Sequence, residues 1–229
     1  MKSIFLCLTV ALMLMACNGS QEGVPTMGNM EVSTPEEQFE LGTKFDEAYD
    51  SVKGIEKNNE KAAFWYQKAA EQGYAEAQYN LGLMYFLGEG VSRDYKKAAL
   101  WYQKAAEQGH KKALNNLGVL YDKGQGVKKN SRIAAHLFIQ SAEDGNKVKQ
   151  FIVGQRFEYS EGVDYSIEDA IYWYSASAEQ GYASAQLKLC ELYSDGERVE
   201  KDLDKAALWC KKAAEQGESK AQLILKKYN

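Results

Sequence analysis

A chain of 229 residues that is 45% hydrophobic and 26% charged, with only 2 prolines, has the composition of a globular and mostly helical protein rather than a disordered one. Its formal net charge is −4, and its basic residues are spread along the chain, which excludes the concentrated basic footprint of a nucleic-acid-binding domain. The only two histidines, His110 and His136, stand apart with no cysteine or carboxylate cluster at ligand spacing, so no metal site is expected.

The N-terminus reads as an export signal. Met1-Lys2-Ser3 supplies a short positive start, and residues 4–15 form an apolar run interrupted only by Cys7 and Thr9. A run of that length is too short to span a bilayer but fits the core of a signal peptide. It ends in Leu14-Met15-Ala16-Cys17, which resembles the lipobox of bacterial lipoproteins. The resemblance implies that residues 1–16 are removed and that Cys17 is acylated. Asn18, where an aspartate is associated with inner-membrane retention, leans the expectation toward the outer membrane, facing the periplasm. Residues 17–33 are small and polar without periodicity and read as a flexible tether.

Folded structure is predicted from Thr34 onward. Thr34, Pro35 and Glu37 form a capping box with proline at the first helical position. The helix that follows carries Phe39, Leu41, Gly42 and Phe45, echoing Tyr79, Leu81, Gly82 and Tyr85. It reads as the second helix of a repeat that lacks its first half (residues 34–57). A longer polar connection over residues 50–59 then leads into a regular array.

The array is set by self-similarity. Gly73, Gly109, Gly145, Gly181 and Gly217 recur every 36 residues, each closing an EQG-type triplet. Asn58, Asp94, Asn130, Ser166 and Asp202 place a preferred N-cap at one register in every copy. Helix A follows each cap, with Ala62, Trp65, Tyr66, Ala69 and Ala70 at helical spacing in the first copy. Helix B resumes after the glycine, through Ala77, Leu81 and Tyr85, and the short connection makes the two helices antiparallel. Gly82, Gly118 and Gly154 inside helix B imply close approach of a neighbouring helix, with alanine pairs such as Ala69/Ala70 expected to face them and the Trp-Tyr pairs (Trp65-Tyr66, Trp101-Tyr102, Trp173-Tyr174) expected to fill the space between layers. The repeats run over residues 58–93, 94–129, 130–165 and 166–201, with a final helix pair over 202–229. Repeat three departs most: Leu137-Phe138 replaces Trp-Tyr, Asp144 replaces glutamine and Ser160 replaces glycine.

The pattern WYxKAAEQG…AxAQxxLGxxYxxGxGV resembles the Sel1-like repeats, relatives of the tetratricopeptide repeats, over nearly all of residues 35–229. The resemblance implies an all-α fold, an α-solenoid of antiparallel helix pairs wound as a right-handed superhelix, acting as a protein-binding scaffold. No GxSxG elbow, SxxK pair or phosphate-cradling glycine loop occurs, and the acidic residues follow repeat register (Glu71, Glu107, Glu143, Glu179, Glu215). The chain therefore reads as a non-enzyme without a cofactor, which binds a protein or peptide partner and touches the membrane through its lipid alone. The alternatives are an immunity protein that neutralises a periplasm-delivered toxin, a weak β-lactamase-like envelope hydrolase and a structural spacer. The hydrolase reading is weakened by the absence of regular cysteine pairs within the repeats.

The partner surface is expected along the outward stripe of helix A, on the concave wall of the solenoid. It runs through Lys61, Phe64 and Lys68, then Lys97, Leu100 and Lys104, then Ile133, His136 and Gln140, then Asp169 and Tyr172, then Lys205, Leu208 and Lys212. Phe64, Leu100, Ile133, His136, Tyr172 and Leu208 are the candidate contacts, because an apolar residue on a solvated face in every repeat is informative. Cys190 and Cys210 take the helix B glycine and helix A tyrosine registers. Both are layer-facing, so they form either a bridge in an oxidising periplasm or two buried thiols, and spacing alone leaves both open.

Overall fold

The computed structural model describes residues 33–47, 49–50 and 55–228. The predicted export signal, Cys17 and nearly all of the tether lie outside the described residues. Among the described residues the chain forms α1 (Pro35–Glu47), then five helix pairs: α2 (Asn59–Glu71) with α3 (Ala75–Leu87), α4 (Tyr95–Glu107) with α5 (Lys111–Lys123), α6 (Ser131–Ala142) with α7 (Lys147–Tyr159), α8 (Ile167–Glu179) with α9 (Ala183–Asp195), and α10 (Leu203–Glu215) with α11 (Ser219–Tyr228). Each helix packs on the next in sequence, the nearest-neighbour arrangement of a solenoid. The connection after α1 is not purely loop: β1 (Tyr49–Asp50) and β2 (Ile55–Glu56) pair antiparallel in it.

The caps explain why the period is so regular. Thr34 Oγ1 accepts from Glu37 N at 3.2 Å while the Glu37 carboxylate accepts from Thr34 N at 3.3 Å, the reciprocal capping box. The side chains of Asn58, Asp94, Asn130, Ser166 and Asp202 each accept from the backbone N–H three residues on, at 2.9–3.1 Å. The N–H of each of these residues donates to a carbonyl near the end of the preceding helix B, on Phe45, Tyr85, Tyr121, Phe157 and Tyr193 respectively. One residue therefore starts its own helix and ties its repeat to the one before.

The packing between successive repeats corrects one expectation. Ala69 and Ala70 belong to a cluster with Ala77 and Leu81 of their own pair, and the atoms nearest the helix B glycines are not theirs. An aromatic ring from the next helix A lies there. A Cβ on Gly82 would fall 2.7 Å from Cδ1 of Tyr102, and one on Gly154 would fall 2.6 Å from Cδ1 of Tyr174. Gly42 meets the ring of Tyr66 in the same way, and Gly118 meets that of Phe138. The glycine is tolerated in the helix because its missing side chain is the slot for a fully buried ring. At the next interface both partners change together: Cys190 stands in the glycine place and Cys210 in the tyrosine place. Their Sγ atoms are bonded, with the Cα atoms 4.8 Å apart.

Candidate partner-binding surface

Helix A has one buried face and one solvated face, and the apolar column breaks the pattern of the solvated one. In α2 the alanines, Trp65 and Tyr66 are buried, while Phe64 is 40% exposed. The same register is 51% exposed at Leu100, 66% at Tyr172 and 50% at Leu208, and His136 is exposed between them. Ile133, 39% exposed, lies one turn earlier on α6, where its N–H is held by the Asn130 cap. Phe64 and Tyr172 are steadied by edge contacts with Trp65 and Trp173, at 5.1 and 5.4 Å between ring centroids. The fold thus leaves all six candidate contacts on the surface, five of them at a single register, one per repeat.

Lysines border the column in some repeats. Lys61 and Lys97 place their ammonium groups 5.1–5.2 Å from the ring centroids of Phe45 and Tyr85. Lys68 leans over Phe64 at 5.7 Å, and Lys104 over Trp101 at 4.2 Å. Such contacts contribute about 0.5–1 kcal/mol each at exposed sites and hold the charge beside the column.

Several polar residues that periodicity does not reveal are buried between the layers. Glu158 on α7 has a fully buried carboxylate, which accepts from Tyr174 Oη at 2.5 Å and from Lys188 Nζ at 3.2 Å, and which pairs with the Arg198 guanidinium. Burial by itself would raise its pKa, but the Tyr174 hydroxyl and the two cations overcome that and hold it below the ordinary glutamate range. Burial, then the hydrogen bond and charge of Glu158, push the Tyr174 hydroxyl well above the ordinary phenol range. Arg198 stands where earlier repeats have Gly90, Gly126 and Gly162. A Cβ on each of those glycines would lie 2.0–2.2 Å from a backbone oxygen of its own helix A, so the fourth loop takes another course and sends a side chain to Glu158.

Arg156, at a register that is Met84 or Leu120 elsewhere, forks onto Asp122 at 3.0 and 3.4 Å and lies 4.5 Å from the centre of the Phe138 ring. His110 caps α5 through Nδ1, which accepts from Ala113 N. Its other nitrogen meets Glu76 at 2.8 Å, and its ring stacks on Tyr79. It is a structural histidine. A glutamine ladder joins successive layers, Gln38–Gln72, Gln78–Gln108, Gln150–Gln180 and Gln186–Gln216, at 2.7–2.8 Å. It is interrupted once, where Leu114 and Asp144 replace both partners and Asp144 turns to Lys149 at 2.6 Å. Among the described residues there is no cluster of side chains suited to a metal ion, and no helix is long and apolar enough to cross a membrane.

The family model of the Sel1 repeat matches residues 38–74, 75–110, 111–146, 150–182 and 183–218. The chain is a Sel1 repeat protein. The family model begins each copy near helix B, half a repeat out of phase with a count that starts at the N-caps. Proteins of this family mediate protein–protein interaction. Among solved structures, a Sel1 repeat protein from Oxalobacter formigenes is 38% identical, with a TM-score of 0.70, covering 80% of this chain and 74% of that one. The protective antigen c5321 of uropathogenic Escherichia coli, which displays an SLR fold, is 36% identical, with a TM-score of 0.74 over 82% of this chain. This chain spans 39% of the length of that antigen. The immunity protein Pa5087 of Pseudomonas aeruginosa is 22% identical, with a TM-score of 0.43, covering 86% of this chain and 70% of that one. No functionally curated protein matches the chain.

Proposed function

We propose that this Sel1 repeat protein is a scaffold of the bacterial cell envelope, held to the outer membrane by lipid on Cys17 and facing the periplasm. It binds a protein partner along the column Phe64, Leu100, His136, Tyr172 and Leu208, with Ile133 beside it. The observation that carries this reading is the exposure of a large side chain, apolar in four repeats of five, at one helix A register in every repeat. A scattered surface leucine would need no explanation, but a solvated column kept through five copies does. The Cys190–Cys210 bond suits an oxidising compartment.

The two halves of the proposal are tested separately. Cys17→Ser is expected to release the protein from the membrane fraction or to block its processing; unchanged membrane association would remove the lipid anchor. The contact surface is tested by aspartate substitutions along the column, read by binding and by melting temperature together.

A further inference from the structure

Resting on that reading, we propose that the partner segment crossing α2 and α4 is an acidic stretch of polypeptide with apolar residues among its carboxylates. The apolar column is continuous through the array, but the charge beside it is not. On α2 and α4 the residues three before and four after the column position are lysines on both sides: Lys61 and Lys68 around Phe64, Lys97 and Lys104 around Leu100. On α6 the same places hold Ile133 and Gln140, and on α8 they hold Asp169 and Ala176. On α10 the lysines return, but Lys205 is already paired with Asp202 at 3.0 Å.

None of the four lysines on α2 and α4 is ion-paired among the described residues. Of the carboxylates on these two helices, Glu71 and Glu107 are held by Gln67 and Gln103 at 2.8 and 3.1 Å, and Glu60, four residues before Phe64, makes no ion pair with any of the four lysines among the described residues. Lys61, Lys68, Lys97 and Lys104 rest on aromatic rings, which fixes their stems without neutralising their charge. Among the described residues this end of the column therefore presents two exposed apolar side chains framed by four ammonium groups that lack an ion-pair partner. Complementarity of charge selects an acidic chain, steers its approach and repels a basic one. The acidic residues of α8, Glu168 and Asp169, oppose the same chain two repeats beyond α4 and three beyond α2, so the charge pattern also sets its direction along the array.

The test uses the purified protein with a fluorescently labelled glutamate-rich peptide carrying leucine at every third position, and a lysine-rich peptide of the same leucine spacing. Fluorescence anisotropy is expected to show binding of the acidic peptide alone, weakening as salt rises. The combined variant Lys61→Glu, Lys68→Glu, Lys97→Glu and Lys104→Glu is expected to lose at least tenfold in affinity with an unchanged melting temperature. Lys123→Glu, on a helix B and off the column, is expected to leave affinity within twofold. An acidic peptide that binds no better than its lysine counterpart, or equally well to the quadruple variant, would overturn the charge assignment. So would capture by phosphatidylglycerol vesicles through these lysines in the absence of peptide binding. None of these failures touches the scaffold reading, which is decided by the aspartate substitutions at the apolar positions.

Discussion

Reduction of the Cys190–Cys210 bond is expected to lower the stability of the array by about 3 kcal/mol, with the loss concentrated in α10 and α11. The bond closes a loop with a sequence separation of 20 residues, a length for which the chain-entropy account of cross-linking gives roughly that figure. Packing adds to it. At the other four interfaces an aromatic ring fills a glycine slot, whereas here two small side chains take those places and the bond stands where the ring would pack. In a solenoid each repeat is stabilised mainly by its neighbours, so the weakened interface releases the terminal pair rather than the whole array. Hydrogen exchange with and without a thiol reductant should show faster exchange over residues 203–228 and little change over 59–123. The double substitution Cys190→Gly with Cys210→Tyr rebuilds the pairing seen at Gly154 and Tyr174, and is expected to recover most of the loss under reducing conditions. Uniform loss of protection along the chain, or no recovery in that variant, would show that the two kinds of pair are not equivalent.

Glu158→Gln is expected to cost about 2–4 kcal/mol. Stripping one partner from a buried ion pair leaves the other charge buried, which costs about 3–5 kcal/mol in well-enclosed cases. The carboxylate is fully buried, but Arg198 is partly exposed and can turn to solvent, which lowers the expected figure. Glu107→Gln, on an exposed face, should stay within about 0.5 kcal/mol. The sign of the pH dependence follows from the depressed pKa of Glu158. Its contribution is fully present above the ordinary glutamate range and is lost as pH falls through that range to the folded-state pKa. The native protein should therefore lose stability below about pH 4 more steeply than the Glu158→Gln variant, and the two melting curves should converge in acid. Parallel curves down to strong acid would mean that folding leaves the Glu158 pKa at its unfolded value, contrary to the depressed one.

What could be read from the sequence was what repeats. The N-caps at Asn58, Asp94, Asn130, Ser166 and Asp202 share one register and one local hydrogen bond, so the 36-residue period places them without knowledge of the fold. The buried polar groups depend on partners 16 to 40 residues away, and each occurs once. Arg156 left a trace all the same, a charge where Met84, Leu120 and Leu192 are apolar, with Asp122 almost one repeat earlier. The glutamine ladder left a clearer one, since both of its positions change together at Leu114 and Asp144. The glycine slots were read correctly as close approaches and the Trp-Tyr pairs as filling between layers, but the alanine pairs were set against the glycines, because spacing shows that room is needed and not which side chain fills it. The column on helix A was placed by register alone, and its exposure follows from the same periodicity that buries Trp65 and Tyr66.

The central claim is that this column is a contact surface and not the rim of the core, and single substitutions of Phe64, Leu100, His136 and Tyr172 by aspartate test it most directly. A side chain already 40–66% exposed, as Phe64, Leu100 and Tyr172 are, has little burial to lose, so each melting temperature should stay within about 2 °C of the native value. Affinity for a partner captured from envelope extract should fall at least tenfold for Leu100→Asp and Tyr172→Asp, about 1.4 kcal/mol or more. Loss of melting temperature in step with binding, or binding unaffected by all four changes, would contradict the account.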